Sequence, residues 1–160
     1  MSQTLDYKGK PMELHVGNFR SHPTCMSLTG KVDGLFGMKK DIILVASLGT
    51  NTGYGKSIQM YQGYLDASNR DYDEIVKAIE GSGLATPVLD NDGNPSKKKM
   101  GSYNFTLYQF DKNKLQDYDK QGCQKYENNF KSALFIQQTR DAVNERMEQF
   151  MNQNSGDYYR

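Results

Sequence analysis

Few side chains in this sequence are spaced for chemistry, and the strongest candidate is the stretch "DIILVASLGTNTGYGKS", Asp41 to Ser57. An apolar run ends there in glycines and then in Gly55-Lys56-Ser57. A phosphate-binding loop needs glycine, four residues, then Gly-Lys-Ser or Gly-Lys-Thr. At that length the backbone amides wrap the phosphates and the lysine reaches the terminal one. Here five residues, Thr50 to Tyr54, separate Gly49 from Gly55, and Thr50 stands where the first glycine belongs. A helix should also start at the Lys-Ser, because its amino end supplies the dipole. Instead Ile58-Gln59-Met60-Tyr61-Gln62-Gly63-Tyr64 follows, without helical patterning. The stretch therefore reads as a glycine-rich connection between antiparallel strands. Tyr54 and Lys56 are kept as candidate partner-binding residues, and a nucleotide-binding enzyme is the alternative.

Other constellations fall short of a site. In Asp90-Asn91-Asp92-Gly93 the glycine comes fourth and Gly101 stands twelfth. A calcium loop wants glycine sixth and glutamate twelfth, so this segment reads as a turn. His22 and Cys25 are close in sequence, with only His15 and Cys123 to add to them. Zinc needs four ligands, or three and water, and a cysteine nucleophile needs an aligned base. No metal, cofactor or catalytic residue is expected. Lys97, Lys98 and Lys99, with Tyr103 and Tyr108 nearby, are candidate partner-binding residues on a loop and the strand that follows it. Nucleic acid is the alternative partner, through phosphate contacts and base stacking.

The elements that must position these residues imply an α+β fold. Leu5–Tyr7 and Met12–Val16 flank a hairpin turn at Lys8-Gly9-Lys10-Pro11. Met12, Leu14 and Val16 alternate with Glu13 and His15, one face in and one out. A third strand is expected between Thr24 and Val32, with Gly30 and Gly34 marking bends or a turn. Ile42 to Leu48 reads as one central strand buried on both faces, and Ile58 to Leu65 as a loosely alternating one. A short helix is predicted at about 71–81, opened by a capping box of Asp71 with Glu74 and stopped by Gly81-Ser82-Gly83. Thr86–Leu89 and Tyr103–Phe110 read as strands. A mainly antiparallel sheet then gives way to a helical region at about 111–152, broken or kinked at Gly122. Within it Phe130, Leu134, Val143, Met147, Phe150 and Met151 fall near three-to-four spacing. The whole chain reads as one domain, 1–160, with helix 123–153 as a projecting or interaction element and a route to homo-oligomers.

Composition narrows the function classes. Twenty basic residues oppose nineteen acidic ones, so no global field draws the protein to nucleic acid or an anionic membrane. No apolar run approaches the ~20 residues that cross a bilayer. No basic, apolar leader opens the sequence, so a cytoplasmic protein with reduced cysteines is expected. Eleven tyrosines and no tryptophan favour a binding surface, because tyrosine joins an apolar body to a polar tip.

"GYLDASNRDYDEIVKAIEGSGLATPV", a polar loop, and "GSYNFTLYQFDKNKL" together resemble a family of small uncharacterised domains carried by conjugative elements and phages of gut bacteria. "MELHVGNF" is similar to that family's opening strand, and the likeness spans roughly residues 10 to 115. The segment around Asp92 to Lys99 and the long C-terminal helix depart from it. The resemblance implies a non-catalytic accessory protein that acts by protein–protein binding. By analogy this is an anti-defence, anti-CRISPR-like inhibitor of a bacterial nuclease complex, and no catalytic residue carries over.

Overall fold

The computed structural model describes residues 3–48 and 59–158, the last five by backbone alone. The glycine-rich stretch Gly49 to Ser57, with Tyr54 and Lys56, lies outside them. The described chain is α+β, with two antiparallel sheets, one short helix and a long helical C-terminal region.

The first sheet is a meander of β1 (Leu5–Tyr7), β2 (Lys10–Asn18), β3 (Met26–Asp33) and β4 (Lys39–Ile43), in that order. Tyr7 pairs with Lys10 across a two-residue turn in which Lys8 (φ 54°) and Gly9 (φ 78°) are both left-handed. This is the turn whose twist matches a right-handed hairpin. Met12, Leu14, Val16, Met26, Leu28 and Val32 point into the core, while Glu13, Lys31 and Asp33 face water. Gly30 is no bend. It lies opposite Leu14 within β3, and a Cβ there would run into the Met12 side chain, so the glycine leaves room for that buried residue.

Ile42 to Leu48 is not one strand. β4 ends at Ile43, which is exposed, and β5 (Val45–Ala46) belongs to the second sheet. Leu44 is the joint: its N–H donates to the Leu28 carbonyl (3.0 Å), and its own carbonyl accepts from the Asp66 N–H (2.9 Å). A continuous apolar run suits a strand that changes sheets as well as one buried on both faces.

The second sheet has the order β5, β6 (Gln62–Leu65), β9 (Tyr103–Phe110) and β7 (Ala85–Pro87), with β8 (Lys97–Met100) also paired to β9. β7 and β8 lie along the same edge of β9. The Leu107 carbonyl accepts from the Val88 N–H and the Leu107 N–H donates to the Ser96 carbonyl, both at 2.9 Å. They are thus one edge strand interrupted by an excursion at 88–96. In it an Asp90 carboxylate oxygen accepts from the N–H groups of Asp92 and Asn94, which makes the segment a turn. Lysines 97–99, expected on a loop, are strand residues.

Helix α1 (Tyr72–Gly81) packs against β1, β6 and β7. Its predicted capping box does not form: the Asp71 carboxylate turns to Lys8 Nζ (2.9 Å), while the Asn69 side chain accepts from the Asp71 N–H (2.8 Å). The Lys8 ammonium holds the Asp71 carboxyl below its usual range. The helix ends at left-handed Gly83 (φ 69°). The Leu84 N–H returns to the Ile79 carbonyl and the Gly83 N–H to that of Glu80, the bond pair of a Schellman stop.

Asp111 caps α2 (Lys112–Tyr118), its carboxylate accepting from the N–H groups of Asn113 and Lys114. The break before α3 (Lys120–Tyr158) falls at Asp119, not at Gly122. The Asp119 carboxylate accepts from the Gly122 N–H (3.0 Å) and from the Val16 N–H on the open edge of β2 (2.9 Å). A Cβ at Gly122 would come within 2.7 Å of the Val16 carbonyl oxygen, so this glycine sets how closely the helix meets the sheet. Cys123, Tyr126 and Phe130 then enter the core.

Candidate functional site

The structure separates the residues that the sequence grouped. In β8, Lys97 lies opposite Thr106 and Lys99 opposite Asn104, so those two share one face of the sheet. Lys98 lies opposite Phe105, and Met100 opposite Tyr103, on the other face. Exposed Tyr103 and the exposed lysines 97 and 99 therefore point apart, and no single strip offers both a stacking ring and phosphate contacts. Lys98 is committed to structure, donating to the Leu48 carbonyl (2.8 Å). Tyr108 is buried and donates its hydroxyl to Glu80 (2.7 Å); burial and that carboxylate push its phenol well above the ordinary range. As an edge-strand feature, three consecutive lysines have a plain physical use: charge on an unpaired edge blocks pairing with another chain.

The residues weighed for metal or thiol chemistry do not assemble. Among the described residues no group of three His, Cys, Asp or Glu side chains is placed to hold an ion. Burial pushes the Cys25 thiol up to about 11, against a smaller opposing pull from Lys98, so it is neutral near pH 7. Cys123 is buried and likewise pushed up to about 11.

Two surfaces that can bind stand out instead. The first is the tip between β3 and β4, where Gly34 predicts only a bend or a turn. A Gly34 N–H to Met38 carbonyl bond (2.6 Å) closes it, and Leu35, Phe36 and Met38 are 83%, 98% and 71% exposed. Phe36 is left-handed (φ 59°), an unfavourable conformation for a bulky residue. The tip overhangs a groove of about 850 Å³ whose lining includes Leu35, Met38, Ile42, Lys40, Tyr7 and Asp71. The signal was present in the sequence: Gly34-Leu35-Phe36-Gly37-Met38 puts large apolar side chains in a turn, where polar residues are the norm.

The second surface is the distal part of α3. Phe130 is buried and Leu134 partly buried against the core, but every residue from Phe135 to Gln153 is exposed. Val143 and Phe150 do not continue the buried stripe. At 100° per residue they lie roughly 200–220° around the axis from Phe130. Their face looks away from the body and carries two shallow concavities that share Val143 and Arg146, one completed by Met147, Phe150 and Met151 and the other by Phe135, Gln138, Thr139 and Ala142.

No helix among the described residues is long and apolar enough to cross a membrane. A scan of protein-family models finds no match to the chain, and comparisons with curated proteins and with solved structures find none either.

Proposed function

We propose that this chain is a non-catalytic protein-binding module whose recognition element is the β3–β4 tip together with the groove beneath it. One observation carries the reading: Phe36 is almost wholly in water while held left-handed on a closed hairpin tip. Exposure of that ring costs solvation and its conformation costs strain. A fold optimised for stability alone would place glycine or asparagine there. Bulky apolar anchors on a rigid scaffold are what dominate binding energy when a partner's pocket desolvates them. The lysines flanking the tip, Lys39 and Lys40, add a polar rim.

The resemblance of residues 10 to 115 to mobile-element domains supports a cytoplasmic setting in which the partner is a bacterial defence complex, blocked sterically. The test uses Leu35→Ser/Phe36→Ser/Met38→Ser against wild type as bait in host lysate, with melting temperatures measured in parallel. Wild type should retain a stable partner that the triple variant loses at unchanged Tm. Equal recovery by both, or no partner for either, overturns the reading. Phe36→Gly is the sharper variant: relief of the left-handed strain should stabilise the fold by about 1 kcal/mol while binding falls.

A further inference from the structure

We propose that the groove beneath the β3–β4 tip takes an extended segment of a partner polypeptide, which pairs as a further strand with the open edge of β4. The inference rests on the reading of that groove as part of the recognition element and names what it recognises. β4 ends the order of the first sheet, with β3 on one side only. The Leu44 N–H donates to the Leu28 carbonyl and the Gly34 N–H to the Met38 carbonyl, which fixes the phase of the ladder. Lys40 and Ile42 turn their backbone groups toward β3. The N–H and C=O groups of Lys39, Asp41 and Ile43 therefore point outward, and nothing among the described residues bonds to them.

The groove follows that edge. All 5 residues of β4 line it. A cavity on one face of a sheet would meet only alternate residues, because successive side chains point to opposite faces. Asp66 and Asn69 line it too, and the bond from the Asp66 N–H to the Leu44 carbonyl ties their segment to the end of β4. A polypeptide main chain is the ligand that matches outward donor–acceptor pairs at two-residue spacing. A strand of five residues, about 17 Å long, would meet all three pairs.

Charge narrows the segment further. Of the charged side chains lining the groove, Lys8 is bonded to Asp71, Lys39 to Asp33, Lys10 to the Asp33 carbonyl and Asp66 to Ser68. Lys40 and Asp41 are left with neither a hydrogen bond nor an ion pair among the described residues, and Lys40 acts on Asp71 only from a distance. Lys40 lies opposite Val32 and shares the inner face with Ile42, while Asp41 is on the outer face with Ile43. The incoming strand should therefore set an acidic residue beside Lys40, a basic one beside Asp41 and an apolar one beside Ile42. A second copy of β4 does not fit. A two-fold centred on Lys40 or Asp41 sets like charges face to face, and one centred on Ile42 runs Lys40 against Leu44, where the chain has already turned to the second sheet.

Panning random dodecapeptides displayed on phage against the full chain tests this. The enriched peptides should carry an acidic, a basic and an apolar residue in succession, in either direction. Asp41→Pro removes one outward N–H and leaves the bonds to β3 in place. It should weaken a synthetic copy of the leading peptide about tenfold or more at unchanged Tm. Lys40→Glu should weaken it too, and should select peptides with a basic residue in place of the acidic one. N-methylation of the peptide should abolish binding at alternate residues and be tolerated between them; if Asp41→Pro lowers Tm, this pattern decides. No enriched peptide, binding indifferent to Asp41→Pro in a folded chain, or methylation effects without alternation overturns the proposal. Peptides that survive Asp41→Pro but are lost with Phe36→Ser remove the added strand and leave the tip as the recognition element. Loss with Asp41→Pro but not with Phe36→Ser keeps the added strand and removes the tip.

Discussion

The two halves of α3 carry comparable apolar residues and meet opposite fates. Cys123, Tyr126 and Phe130 are buried, with Tyr126 edge-on to Tyr61 at 4.9 Å between ring centroids. Phe135, Ile136, Val143, Met147 and Phe150 face solvent. What separates them is phase: the stripe shifts by about half a turn between Leu134 and Val143. Spacing of three and four shows that a helix has an apolar face, but not that successive faces coincide. A long helix can thus hold its own body with one half and address something else with the other.

The sharpest way to break the contrast is to truncate one anchor in each half. Tyr126→Ala removes a fully buried ring and should cost about 3–5 kcal/mol. It also orphans the Tyr61 N–H, which donates to the Tyr126 hydroxyl at 2.9 Å. Tyr126→Phe keeps the packing and should cost about 1–3 kcal/mol, the price of that unpaired amide. Phe150→Ala should change the stability of the dilute chain by no more than roughly 0.5 kcal/mol. Urea denaturation at low protein concentration measures all three. Equal losses for Tyr126→Ala and Phe150→Ala would erase the distinction between the halves.

A second variant sharpens where the docked half begins. Asp119→Ala deletes the carboxylate that joins the first turn of α3 to the Val16 N–H. The loss of a cap and an edge bond together should cost about 1–3 kcal/mol. Thermal denaturation reads it, and an unchanged Tm would mean that apolar packing alone seats the helix.

The same contrast explains what was legible in the sequence. Local chemistry with no competitor read through: the Lys8-Gly9 turn, the glycine stop after α1, and the strand at Tyr103–Phe110. Readings failed where a distant residue competed. Lys8 draws the Asp71 carboxylate away from the cap, and β9 pulls three lysines of poor strand propensity into a ladder. Gly122 looked like a helix breaker because its true constraint, the Val16 carbonyl, lies far away in the chain. For the candidate site, the lysines and tyrosines were found by type, but alternation across the sheet divides them. At the β3–β4 tip the glycines read as bends or a turn, but nothing in that reading marks Leu35, Phe36 and Met38 as exposed. The distal stripe was found, but its direction depends on where the body sits.

A further expected effect concerns the thiol of the docked half. Burial first, then the carboxylates of Asp119 and Glu127, push the Cys123 thiol up to about 11, against an opposing hydrogen-bond effect from Tyr61. Its folded value therefore lies above the roughly 8.5 of a free thiol. The neutral form is favoured in the native state, so this contribution to stability is complete below about pH 8.5 and is lost as pH rises toward 11. Buried Tyr61 and Tyr126, whose phenols burial also pushes upward, extend the fall at still higher pH. Melting temperature should decline by several degrees over that window, and Cys123→Ala should flatten the thiol's share of the slope. Native Cys123 should also resist a thiol reagent at pH 8 until the chain unfolds. Rapid reaction in the folded state would mean that the first turns of α3 open readily, and that the docked half is less firmly held than its packing indicates.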